Sequence, residues 1–166
     1  MTMGIAKILT GDFARNKCPV HPALVHIPIT LIPLAAFMKA AAAGGILPSA
    51  PGSWPWHAAH FIGGLAVLAL IPTAITGMAE YTRLPKDNAK VMRKAKLHAA
   101  LNYLVAAITV YCVWKTSGRA SKLPTQFEII LGLVSAGILM VSGHLGGEMV
   151  FQHGVGVGRR GKRQAA

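Results

Sequence analysis

Four apolar stretches separated by polar connections restrict what this chain can fold into. They run over residues 22–43, 57–81, 97–114 and 127–151, and each is close to the ~20 residues that cross a bilayer's hydrocarbon as a helix. With their connections they use up most of the 166 residues. The chain therefore reads as one all-α transmembrane domain over residues 1–166, an integral membrane four-helix bundle, with no room for a separate soluble catalytic module. Composition agrees: 13% of the residues are charged, where a soluble domain carries about a quarter. A re-entrant first stretch, containing Pro28 and Pro33, would lower the count to three crossings. The opening residues lack an apolar run behind a basic start, so the first span is expected to act as its own insertion signal.

An even number of crossings puts both termini on one side. That side carries Lys7, Arg15 and Lys17, then Arg83, Lys86, Lys90, Arg93, Lys94 and Lys96, then Arg159, Arg160, Lys162 and Arg163. The opposite side carries Lys39, Lys115, Arg119 and Lys122. The positive-inside rule makes the first side cytosolic. The net charge of +12 thus reflects topology and lipid headgroups, and no nucleic-acid-reading module is present. The segment 82–96 is polar and basic, and reads as a short helix lying on the headgroups before the third span. Lys39 is expected to snorkel to the interface, and Trp54 and Trp56 to join the interfacial belt. The tail 154–166 reads as flexible, and its G-V-G-V-G is not a phosphate loop, because no Lys-Ser/Thr follows it. Cys18 and Cys112 are expected at different levels and unpaired, and no Cys-x-x-Cys exists.

Ionisable residues inside membrane helices are expensive, so each asks for a reason. His26 opens the first span, His98 the third, and His144 closes the fourth, all on the basic side. At 1.5 Å per residue, His26 and His144 lie on the order of 10 Å from the midplane and His98 on the order of 13 Å. Imidazoles are the usual axial ligands of haem iron and serve other transition metals. His26, His98 and His144 are therefore the expected cofactor-binding residues of one haem b, two of them ligating the iron and the third or a glutamate lining the pocket. Glu148, four residues beyond His144 and on the same helix face, and Glu80 at the end of the second span are the added candidates for a non-haem metal. His21, ahead of Pro22, and His153 read as peripheral. His57 and His60 form a pair at the far end, but no histidine there opposes them, so at most one haem is expected. Glu128 reads as a first-turn carboxylate favoured by the helix dipole, Asn102 as an interhelical contact, and Gly143 with Gly147 as a G-x-x-x-G packing element. Ser135 and Ser142 belong to no Ser-His-Asp set.

The stretch His21-Pro22-Ala23-Leu24-Val25-His26-Ile27-Pro28 resembles the opening signature, H-P-x-L-V-H-x-P, of a family of predicted four-helix membrane proteins catalogued as a domain of unknown function. His98-Ala99-Ala100-Leu101-Asn102 resembles its H-A-x-x-N element. Gly146-Gly147-Glu148-Met149-Val150 with Gly154-Val155-Gly156-Val157 resembles its closing one. The resemblance covers nearly the whole chain and implies the four-helix fold. Some members of that family are joined to Rieske-type iron–sulfur domains, which implies a redox setting; this chain has no cysteine set for such a cluster.

Three functions follow. The first is haem-b electron transfer through His26, His98 and His144, with a redox partner protein. The second is a membrane oxidoreductase with non-haem iron on the same histidines plus Glu80 and Glu148. The third is a module without a cofactor, a transporter subunit or assembly partner, which with only four spans would need to form a homo-oligomer to transport on its own.

Overall fold

A computed structural model describes residues 20–117 and 123–156. It is all-helical there, with α1 (His21–Leu24), α2 (His26–Ala43), α3 (Trp54–Thr82), α4 (Ala89–Thr116) and α5 (Gln126–Phe151). The span His21–Ala43, made of α1 and α2, and the helices α3, α4 and α5 are each long and apolar enough to cross a membrane. Lys7, Arg15, Lys17, Cys18, Arg119, Lys122 and the basic tail beyond Gly156 lie outside the described residues.

Local chemistry sets the helix ends. Pro28 has no N–H to give to the carbonyl four residues back, that of Leu24, and the first span breaks there, between α1 and α2. Pro33 lies inside α2 without ending it. Gly45, at φ 75°, closes α2. The Gly45 N–H reaches the Ala42 carbonyl at 3.1 Å and the Ile46 N–H the Ala41 carbonyl at 2.9 Å, a Schellman closure that needs a left-handed residue. The Asn88 side chain accepts from the Val91 N–H at 3.2 Å and starts α4. This cap revises the expected headgroup helix: residues 89–96 are the first turns of the same continuous helix that crosses the bilayer. Thr125 and Glu128 form a reciprocal capping box on α5, so Glu128 is a first-turn carboxylate as expected.

The helices alternate in direction around a ring. α2 packs on α3 and α5, and α4 packs on α5 and α3. The α4–α5 seam has a heptad rhythm. His98, Asn102, Val105, Thr109, Cys112 and Thr116 on α4 alternate by four and three, and so do Glu128, Gly132, Ser135, Leu139, Ser142, Gly146 and Met149 on α5. Small residues let the backbones approach: a Cβ on Gly132 would sit 3.2 Å from Ala36 Cβ, and one on Gly63 3.1 Å from Val113 Cγ2. Ile32, Ala66, Val105 and Leu139 make a buried apolar layer. Large apolar side chains such as Phe37, Phe61, Leu68 and Met140 face outward, as a lipid-facing surface requires.

Lys39 does not snorkel. It is only 8% exposed and points into the bundle, because the turn of α2 that carries it also carries buried Ala35, Ala36 and Ala42.

Candidate functional site

The start of α1, the end of α3, the start of α4 and the end of α5 meet at one end of the bundle. Two histidines enter it. His21 Nδ1 lies 3.0 Å from the Thr73 carbonyl oxygen and 3.3 Å from Thr76 Oγ1, both on α3. His98 Nδ1 lies 2.8 Å from the Ser142 carbonyl oxygen and 3.0 Å from Ser142 Oγ, on α5. A carbonyl only accepts, so each Nδ1 carries a hydrogen, and in the neutral ring this leaves the lone pair on Nε2. The two imidazoles are within electrostatic reach of each other.

The two seats are built alike. Four residues beyond each accepting carbonyl stands a glycine, Gly77 after Thr73 and Gly146 after Ser142. A Cβ on Gly77 would come 2.8 Å from His21 Cε1, and one on Gly146 3.4 Å from His98 Cε1. A methyl on Gly77 would therefore force the His21 ring to shift, while one on Gly146 would make ordinary van der Waals contact with the His98 ring. A hydroxyl completes each seat, Thr76 for His21 and Ser142 for His98. Asn102 locks the second one, since its Nδ2 donates to Ser142 Oγ at 2.6 Å and to the His98 carbonyl at 2.7 Å. Thr73, Thr76 and Glu80 share one face of α3. The Glu80 Oε1 is buried and has no hydrogen-bond partner among the described residues, while Arg83 lies within its electrostatic reach.

Of the expected histidine ligands, only His98 is inside. His26 is exposed on the outer face, one turn away from His21. The side chain of His144 is 76% exposed, with Nε2 3.8 Å from Glu148 Oε1. Glu148 Oε2 is committed to Lys94 Nζ at 2.9 Å, tying the basic start of α4 to the end of α5. Among the described residues no three histidines, cysteines or carboxylates come close enough to hold a metal ion. His21 takes the place that depth alone assigned to His26. In the even-numbered spans Thr73-x-x-x-Gly77 and Ser142-x-x-x-Gly146 share one spacing from accepting carbonyl to glycine, while the Thr73 hydroxyl itself donates to the Ala69 carbonyl. His153 Nε2 is buried without a partner among the described residues, so its ring is tucked in. At the opposite end His57 is exposed and His60 Nδ1 bonds Thr116 Oγ1 at 2.9 Å.

The closing Gly-Val-Gly also has a local explanation. Gly154 and Gly156 have φ of 66° and 73°, and the Gly154 N–H reaches the Val150 carbonyl at 3.0 Å, so these glycines end α5.

The sequence model of a family described as predicted membrane protein (DUF2231) matches residues 17–159. No curated protein and no solved structure matches the chain.

Proposed function

The chain belongs to a family of predicted membrane proteins, and we propose that it is a membrane redox protein that holds one haem b between His21 and His98 and passes electrons at the cytosolic face. One observation carries this reading: two hairpins of the bundle present imidazoles at one end, each with Nδ1 on a carbonyl, Thr73 or Ser142, and with no hydrogen bond at Nε2 among the described residues. A ligating imidazole needs that arrangement, because the second-shell acceptor fixes the tautomer, aims the ring and raises its basicity. The donor set fits haem iron, which takes two neutral imidazoles axially and needs no carboxylate.

Haem b, when bound, supplies a one-electron couple. The rest is the work of the chain. His21 and His98 would be the ligands, and Gly77 and Gly146 leave their rings space against the backbone. Asn102 and Ser142 hold His98 from behind. The apolar layer of Ile32, Ala66, Val105 and Leu139 closes the site toward the other leaflet. The exposed Lys86, Lys90, Arg93 and Lys96 border the same end, which the positive-inside rule makes cytosolic, and they favour an acidic electron donor or acceptor there. A non-haem metal is less well served, since it would need a third protein ligand.

The test is the absorption spectrum of protein purified from cells supplied with haem, before and after dithionite. The expected result is a Soret band with sharp α and β bands on reduction, lost in His21→Ala and in His98→Ala and kept in His26→Ala and His144→Ala. A colourless, stably folded preparation would overturn the haem reading. Metal analysis of that sample would then separate a non-haem centre from a module without a cofactor. Colour lost in His26→Ala but kept in His21→Ala would move the ligand back to His26.

A further inference from the structure

At the end of the bundle opposite the histidine pair, the first, third and fourth spans contribute polar groups to one small volume, to which α3 adds only Gly63. A cavity of about 30 Å³ is lined by Lys39, Thr109, Cys112, Glu128 and Ser135 among apolar neighbours. Four of these are charged or polar side chains at almost no exposure: Lys39 and Thr109 at 8%, Glu128 at 4% and Ser135 at 1%. Ser135 Oγ faces this cavity without a hydrogen-bond partner among the described residues. Lys39 and Glu128 are within electrostatic reach but do not form one of the direct ion pairs among the described residues. Glu128 Oε2 instead accepts from the Thr125 N–H at 2.7 Å. Thr109 Oγ1 donates to the Val105 carbonyl at 2.8 Å and keeps its lone pairs.

Such a set is expensive when left dry. An ammonium brings three donors into a low-dielectric interior, and an orphaned hydroxyl adds its own desolvation cost. A water molecule needs two to four polar partners and about one probe sphere of space to be held inside a protein. This cavity meets both conditions. We propose that it is a structural water site, in which a bound water bridges Lys39 Nζ to Ser135 Oγ and Thr109 Oγ1 and joins the Lys39 and Glu128 charges into a hydrated ion pair. The ligand is water rather than an anion, because Glu128 lines the same wall, and a space of about 30 Å³ suits a water molecule. His60, from α3, is the further titratable group within electrostatic reach of Lys39, and Cys112 approaches from α4.

Cys112 makes the site readable. Its sulfur lines the cavity and it is 6% exposed, so hydroxyl radicals reach it efficiently only when made from water inside. X-ray radiolysis of the full-length protein in nanodiscs, equilibrated in ¹⁸O-water, should oxidise the Cys112 peptide with incorporation of ¹⁸O. Peptides of the apolar layer around Val105 and Leu139 should stay unlabelled. Ser135→Val, which fills the cavity and removes the hydroxyl, should abolish the Cys112 label with helicity and elution unchanged. Lys39→Met should do the same, and Thr109→Val serves if Ser135→Val fails to fold. Absence of label in the unsubstituted protein would overturn the proposal. So would label that persists in the folded Ser135→Val and Lys39→Met proteins, because bulk solvent entering by breathing would then be its source.

Discussion

The two ends of this bundle solve the same problem in different ways. Both place polar side chains inside a membrane protein, and the layer of Ile32, Ala66, Val105 and Leu139 separates them. At the histidine end His21, His98, Asn102, Thr76 and Ser142 answer one another and the backbone within hydrogen-bond distance, beside a Glu80 Oε1 that is buried without a hydrogen-bond partner among the described residues. At the lysine end the groups are charged, and the nearest opposite charge is in reach without direct contact. A satisfied neutral network fixes geometry, which suits aiming two imidazoles. A loosely paired ionic cluster tolerates water and depends on charge balance. The two ends should therefore respond to different substitutions, the lysine end to loss of charge and the histidine end to loss of space.

The largest effect is expected at the lysine end. Glu128→Gln keeps an acceptor for the capping box but leaves Lys39 uncompensated, at a cost of about 3 kcal/mol. The double variant Lys39→Met/Glu128→Gln should recover most of that loss. Unfolding of the detergent-solubilised proteins measures both, and equal stability of single and double variants would show that Lys39 is balanced by something other than Glu128. Next comes Gly77→Ala. Its methyl would press on the His21 ring at 2.8 Å, so the ring must leave the Thr73 carbonyl or the helices must part, at about 2 kcal/mol. Gly146→Ala, with 3.4 Å available, should cost clearly less. If haem is bound, Gly77→Ala should also lower its occupancy more than Gly146→Ala does, and the reverse order would mean that the two seats are not arranged as described. Ser142→Ala should follow at about 1 kcal/mol, because Asn102 Nδ2 loses its 2.6 Å acceptor but keeps the His98 carbonyl.

These residues also mark what the sequence could and could not reveal. The four spans were legible because lipid demands long apolar runs whatever the packing. Of the connections, the Gly/Pro-rich loop after the first span and the first-turn role of Glu128 were legible, while the Asn88 cap that starts α4 was not, and residues 82–96 were read as a headgroup helix. The inward faces were harder to read. A helix that is apolar all round has no hydrophobic stripe to orient it, so His21 and His26 could be ranked only by depth. Depth favoured His26, while rotation about the helix put His26 outside and His21 in. The same blindness turned Lys39 outward and left His144 and Glu148 among the ligands. What breaks it is the rhythm of small and polar residues. Glu128, Ser135 and Ser142 recur every seven residues on α5, and His98, Asn102, Thr109 and Cys112 keep the matching register on α4. That pattern was present in the sequence, as was the four-residue spacing from Thr73 to Gly77 and from Ser142 to Gly146. Their meaning came only from seeing which helix each one faces.

The smallest effect should come from the ion pair that rims the histidine end. Lys94 Nζ and Glu148 Oε2 lie 2.9 Å apart, and each side chain keeps about a quarter of its exposure, 24% and 23%. A pair in that setting gains little from Coulomb attraction and loses it to screening. Lys94→Ala should therefore leave stability nearly unchanged, with a difference from the parent that shrinks further as salt is raised. Its informative readout is at the histidines. If Lys94 and Glu148 only close the rim, His98 keeps its seat on Ser142, and the environment of a His98 ring labelled with ¹⁵N stays as in the parent. A shifted ring signal in Lys94→Ala, at unchanged stability, would show that the first turns of α4 steer His98 from outside the bilayer, and that the two ends differ in their reach into the aqueous phase as well as in their charge.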